Sequence, residues 1–139
     1  MGARTTWAIK TEEGDAVIWL YSHWGGESKF EDTQEALKNA EPRWSDSTYG
    51  ARIFISQIVG TSWDSETGFG ITTGTLADVP FEESYDLVVV DFTTQKITYG
   101  RFEFTFSKFL ETREGIRTTT GKITFDENYQ NRANVKAGL

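Results

Sequence analysis

The sequence predicts an α+β fold: a mostly antiparallel sheet with two or three helices packed against it, in one domain. Three observations lead there. The apolar runs AVIWLYS and YDLVVVDF have the length and composition of buried strands. Other segments carry apolar residues at helical spacing, framed by start and stop signals. At 139 residues the chain is long enough to bury one core without staples.

The elements follow in order. TTWAIKTEE reads as a first strand with Trp7 and Ile9 on one face, and EEGD as a turn at Gly14. Ala16 to Tyr21 is near-continuously apolar, which suits a strand covered on both faces. After HWGGE, Ser28 and Glu31 match the capping-box spacing, so Ser28 is the expected N-cap. Phe30, Thr33, Leu37 and Ala40 continue that helix to Pro42. A second helix is expected from an Asp46 or Ser47 cap, with Ala51, Phe54, Ile55, Ile58 and Val59 apolar and Gly60 as the stop. RIFISQIV is also β-branched enough for a strand, but the cap and the glycine favour helix.

TSWDSET reads as a loop, GFGITTG as a short strand with glycines, and TLADVPFEES as a loop around Pro80. YDLVVVDF is the strongest strand. KITYGRFEF then suggests a hairpin whose alternation changes phase near Gly100, as a bulge there would produce. TFSKFLETREG is a short helix capped by Thr105 and closed by Gly115, and IRTTTGKITF a last strand or hairpin. Residues 1–125 are expected to form the domain, and 126–139 a polar tail or arm that docks on its own domain or on a neighbour.

Composition narrows the chemistry. Without cysteine there are no disulfides, thiolate metal sites or cysteine nucleophiles. A single histidine excludes paired-histidine metal centres, and neither metal nor cofactor is expected. Fourteen Lys and Arg against 21 Asp and Glu leave a net charge of −7, which disfavours nucleic-acid binding. The acids are scattered, as on an ordinary solvated surface. No apolar run nears the ~20 residues of a membrane span, and MGARTTWAIK lacks a signal-peptide core, so no membrane association is expected. With 5 Trp, 5 Tyr and 10 Phe, the core is expected to be aromatic, some tryptophans instead lining a concave surface.

The candidate site starts at Tyr21-Ser22-His23-Trp24-Gly25-Gly26. A strand ends there, and Gly25-Gly26 turns the chain toward a helix N-terminus, whose free N–H groups suit an anion. His23 is able to exchange a proton near neutral pH, and Trp24 to stack on a flat ring. The plainer alternative is a structural turn in which Trp24 packs and His23 bonds a carbonyl. TGFGITTG adds Gly70 and Thr72 as candidate contacts. It is no phosphate loop, lacking the Gly-Lys-Ser/Thr end, and Thr73 breaks the dinucleotide-binding glycine spacing. Arg52 is a candidate anion contact. Arg43, beside Trp44, either binds an anion or clamps an acid such as Asp46. A triad of Ser22 or Ser56, His23 and Asp91 has no nucleophile-elbow motif behind it, and Ser22 and His23 point to opposite faces of a strand. Asp64 with Glu66, and Glu82 with Glu83, read as solvated loop charges.

The ordered motifs LYSHWGGE, RW, ARIFISQIVG, TGFGI and VVVD together resemble a family of small uncharacterised proteins of bacteriophage and prophage genomes. The resemblance runs from about Val17 to Asp91, more weakly to Leu110, and nothing after Gly115 matches it. The matching positions are Tyr21, His23, Trp24, Gly25, Gly26, Arg43, Trp44, Ala51, Arg52, Thr67, Gly68, Gly70, Ile71 and Asp91. It implies a setting, a phage accessory gene expressed in the host bacterial cytoplasm or carried in the virion, and no catalytic role. The leading expectation is a host-takeover or defence-evasion protein that binds a small anionic ligand, such as a nucleotide signal, or a host protein. A virion or assembly component, with homo-oligomers formed through the C-terminal tail, comes second, and a small hydrolase using His23 as base third. His23, Trp24 and Arg52 are expected to meet around one cleft.

Overall fold

A computed structural model of the chain describes residues 3–81, 83, 85–119 and 121–125. Six strands form the main sheet: β1 (Thr5–Lys10), β2 (Ala16–Ser22), β3 (Phe69–Thr75), β4 (Val88–Asp91), β5 (Lys96–Tyr99) and β6 (Phe102–Thr105). Their spatial order is β3-β2-β1-β4-β5-β6. Every pairing is antiparallel except the central one, where β1 runs parallel to β4 with Trp7 opposite Val88. The fold is α+β, with helices α1 (Lys29–Asn39), α2 (Ser47–Val59) and α3 (Phe106–Glu111). A separate two-stranded ladder joins β7 (Ile116–Arg117) to β8 (Ile123–Thr124). The expected tail, 126–139, lies outside the described residues.

Strand alternation sorts the side chains into two layers. On one face Trp7, Ile9, Leu20, Val88, Val90, Ile97, Tyr99 and Phe104 meet the three helices, which add Phe30, Leu37, Phe54, Ile55, Phe106 and Phe109. The aromatics pack edge-on or tilted around Phe30 and Phe109, arrangements their ring quadrupoles favour. The opposite face is covered less fully: Ala8, Val17 and Trp19 pack against Leu76, Phe81, Leu87 and Val89. Phe81 stacks on Tyr21 with ring centroids 4.8 Å apart. Gly74 leaves room on this face for the Trp19 indole, whose Nε1 would lie 3.2 Å from an added Cβ.

The helix ends obey local rules, with two exceptions, the first being that α3 stops at Glu111 with extended Thr112 after it and not at the expected Gly115. Asp46 caps α2 by accepting from the Tyr49 N–H at 3.2 Å, and Gly60 ends it at φ 60°. Thr105 caps α3 by accepting from the Lys108 N–H. Ser28 holds the N-cap position of α1, but its hydroxyl donates to the Asp32 carboxylate at 2.8 Å instead of capping an N–H. Gly100 corrects another expectation. It is no bulge: Tyr99 pairs with Phe102, so Gly100 and Arg101 form a two-residue hairpin turn with Gly100 at φ 61°. The phase change is the reversal itself, which returns Phe102 to the face of Tyr99.

Arg43 and Trp44 form a structural clasp. The buried Trp44 indole donates to the Leu37 carbonyl at 2.9 Å, and the Arg43 guanidinium lies over the Tyr49 ring, not against Asp46.

Candidate functional site

Two recesses flank β3, and they divide the expected site between them. The first lies at the end of β2, where Tyr21, His23 and Trp24 face Gly68, Phe69 and Gly70 across about 490 Å³, with Thr67 at the margin. Backbone pairing builds it: Tyr21 is opposite Gly70 in the ladder, and the His23 N–H donates to the Gly68 carbonyl at 2.9 Å. Gly68 sits at φ 105°, a backbone that side chains rarely adopt, which lets the loop reach β2. The Tyr21 hydroxyl and His23 Nδ1 are hydrogen-bonded at 2.9 Å. That contact fixes the imidazole and leaves Nε2 as its remaining polar atom. Trp24 stands edge-on to the imidazole, centroids 4.6 Å apart, and is 66 % exposed. A rigid indole and a held imidazole suit a flat ring with a hydrogen-bonding edge.

The remaining expected contacts lie elsewhere. Gly25 and Gly26 serve packing: a Cβ on Gly25 would lie 2.6 Å from Ser22 Oγ, and one on Gly26 would overlap the Tyr85 ring. The Gly26 N–H donates to the Ala3 carbonyl at 2.8 Å, so this turn does not hold that donor free for an anion. Thr72 lies opposite Trp19 on β3, outside the residues lining the recess. Arg52 does not meet His23 and Trp24 either. It lines the second recess, with Ile55, Trp63 and Ile71, on the helix side of β3. The expected single cleft is therefore two, because α2 lies over the face of the sheet while Trp24 follows the end of β2.

The triad is not assembled. Ser22 is buried on the helix side of β2, and the Asp91 carboxylate accepts from Thr93 N–H and Oγ–H and faces Lys10 at 3.8 Å. Among the described residues no cluster of three or more His, Asp or Glu side chains could hold a metal ion, and no helix is long and apolar enough to cross a membrane.

One polar cluster escaped the sequence. Lys29, at the start of α1, is buried, and its Nζ donates to Thr5 Oγ1 at 2.5 Å, to the Thr6 carbonyl at 2.7 Å and to the Asp86 carbonyl. Glu83 lies 3.6 Å from that Nζ and is not the solvated loop charge expected. Its carboxylate accepts from Thr5 Oγ1, the Thr6 N–H and the Tyr85 N–H, all within 2.9 Å. Burial pushes the Lys29 ammonium down to about 8, against the opposing pull of Glu83 and Asp86. The cluster is largely buried and ties the segment before β4 to β1 and α1. Thr5, Thr6 and Lys29 stand more than fifty positions from Glu83 and Asp86, so no local spacing announces it.

Comparison of the chain with family models, with curated proteins and with solved structures finds no match.

Proposed function

We propose that this chain is a phage-encoded accessory binding protein, acting in host takeover or defence evasion by capturing a small flat anionic ligand such as a nucleotide signal. One observation carries the reading. Every residue lining the Trp24 recess except Phe69 belongs to the sequence pattern that resembles the phage and prophage family. These residues come from two stretches over forty positions apart, and the β2–β3 pairing joins them into one concave surface. The recess fits the ring of such a ligand: Trp24 supplies a stacking face and His23 a hydrogen bond to the ring edge. Among the described residues no lysine or arginine lines it, so the charged part of the ligand extends out of the recess.

The test is native mass spectrometry and thermal shift on the pure protein with a bacterial nucleotide extract. A bound mass and a raised midpoint, both lost in Trp24→Ala, are expected. No bound mass and no shift with any fraction overturns the small-molecule reading.

A second reading, a host-protein partner or a virion or assembly component, draws on β3. Among the described residues this strand pairs only with β2, and its seven residues carry no charge. Such an edge is open to main-chain pairing with another chain. Absence of the protein from purified particles, by mass spectrometry, removes the virion version. Hydrolysis with His23 as base has the least support, since no carboxylate among the described residues lines its recess.

A further inference from the structure

The recess on the helix side of β3 has a chemistry of its own. Ala51, Arg52 and Ile55 of α2 face Ile18 of β2, Ile71 of β3 and the Trp63 ring around about 380 Å³. The walls are apolar, yet Trp63 and Ile71 remain 52 % and 49 % exposed. Leaving such surface wet at the mouth of a hollow forfeits burial that a ligand would recover. Arg52 is exposed at the same place. Some cations of the chain have visible occupations, while Lys38, Lys108, Arg113 and Lys122 share with Arg52 the lack of an ion pair among the described residues but do not line this recess. Arg43 lies over Tyr49, Lys10 and Lys96 face Asp91 and Glu103, and Arg117 is paired with Glu114. Among the described residues Arg52 has no carboxylate within ion-pair distance and no aromatic ring beneath it, although the chain holds 21 acids. Its guanidinium offers several donors in a fixed planar fork, a geometry that fits a carboxylate, sulfonate or phosphate.

We propose that this recess binds an amphipathic anion, with an apolar ring body against Ile55, Trp63 and Ile71 and one anionic group on Arg52. The site shares no residue with the Trp24 recess and does not rest on the function proposed for it. The two are tested separately, because Trp24→Ala leaves this recess intact.

The probes are 8-anilinonaphthalene-1-sulfonate and its uncharged counterpart N-phenyl-1-naphthylamine, titrated by fluorescence into the folded full-length protein. Arg52→Gln is expected to weaken the sulfonate about tenfold, the effect of losing one charge-assisted contact, and to change the neutral probe less than about twofold. Trp63→Ala weakens both. The Trp63 indole N–H resonance moves on adding the sulfonate to wild type, while that of buried Trp44 stays in place. Both substituted positions are exposed, and an unchanged thermal midpoint shows that each variant remains folded. Equal sulfonate affinity in wild type and Arg52→Gln, or a Trp63 resonance that does not move, overturns the proposal.

Discussion

The two sides of β1 solve opposite problems. Toward β4, a buried ammonium, a held carboxylate, the Thr5 hydroxyl and the Thr6 backbone satisfy one another around Lys29, and of these two threonines only the buried Thr6 hydroxyl is left without a partner. Toward β3, Trp24, Trp63 and Ile71 stay exposed, and among the described residues Arg52 stays unpaired and the outer strand has no partner on its second side. The more heavily charged cluster is therefore the structural one. Strong perturbation of a titratable group here marks a clasp, and the proposed recognition surface lies where groups remain unsatisfied.

That contrast is open to attack, starting where the effect is largest. Lys29→Met keeps the volume but leaves Glu83 and three oxygens without their donor. It is expected to cost about 3–5 kcal/mol by urea denaturation, the range for breaking a buried ion pair. Gly26→Ala forces a methyl into the Tyr85 ring and should cost about 1–3 kcal/mol on the same assay, as overpacking does. Trp24→Ala, on the open side, should stay within about 0.5 kcal/mol of wild type while abolishing ring binding. A large stability loss from Trp24→Ala, or none from Lys29→Met, would reverse the assignment of the two sides.

The contrast also shows in the pH profile. Lys29 titrates near 8 in the folded chain and at 10.5 once unfolded, so between those values the unfolded state holds more protons. Stability contributed by this group rises with pH across that window, because the penalty of burying the charge is relieved. Tyr99 acts in reverse: burial, then the nearby Asp86 charge, raises its phenol above the ordinary 10.0, so beyond that pH the unfolded chain sheds a proton that the fold retains. Chemical denaturation from pH 7 to 11 should show a rise followed by a fall. In Lys29→Met the rise should vanish and the fall remain.

What the sequence disclosed was local. β2 spans the run AVIWLYS, and α2 starts and stops where Asp46 and Gly60 say it should, because caps and periodicity act over a few residues. Gly100 misled because a tight turn and a bulge break alternation alike when only one strand is visible. The Trp24 recess was half legible: Tyr21, His23, Trp24 and Gly70 were picked out, but Phe69 had no signal, and Arg52 was placed with them before the position of α2 over the sheet was known. Trp24 and Trp63 could not be told from the buried Trp7, Trp19 and Trp44, since exposure depends on pairings such as Leu20 with Ile71, made between distant parts of the chain.

The parallel pairing of β1 with β4 also sets an order of events. β1 precedes the other described strands in the chain and lies near the middle of the finished sheet, yet the partner on its second side begins only at Val88. During synthesis, β2 can zip onto β1 through a short turn, and α1 and α2 can form from local signals, while the other edge of β1 waits. Closing so long a loop must precede the reward of Trp7 meeting Val88, so assembly is gated by chain length and not by the intrinsic speed of the early elements. A ribosome-bound chain truncated before Val88 would hold an unfinished half-sheet with Trp7 and Ile9 at its open border, a form that invites chaperones or unwanted pairing until the central strand is closed.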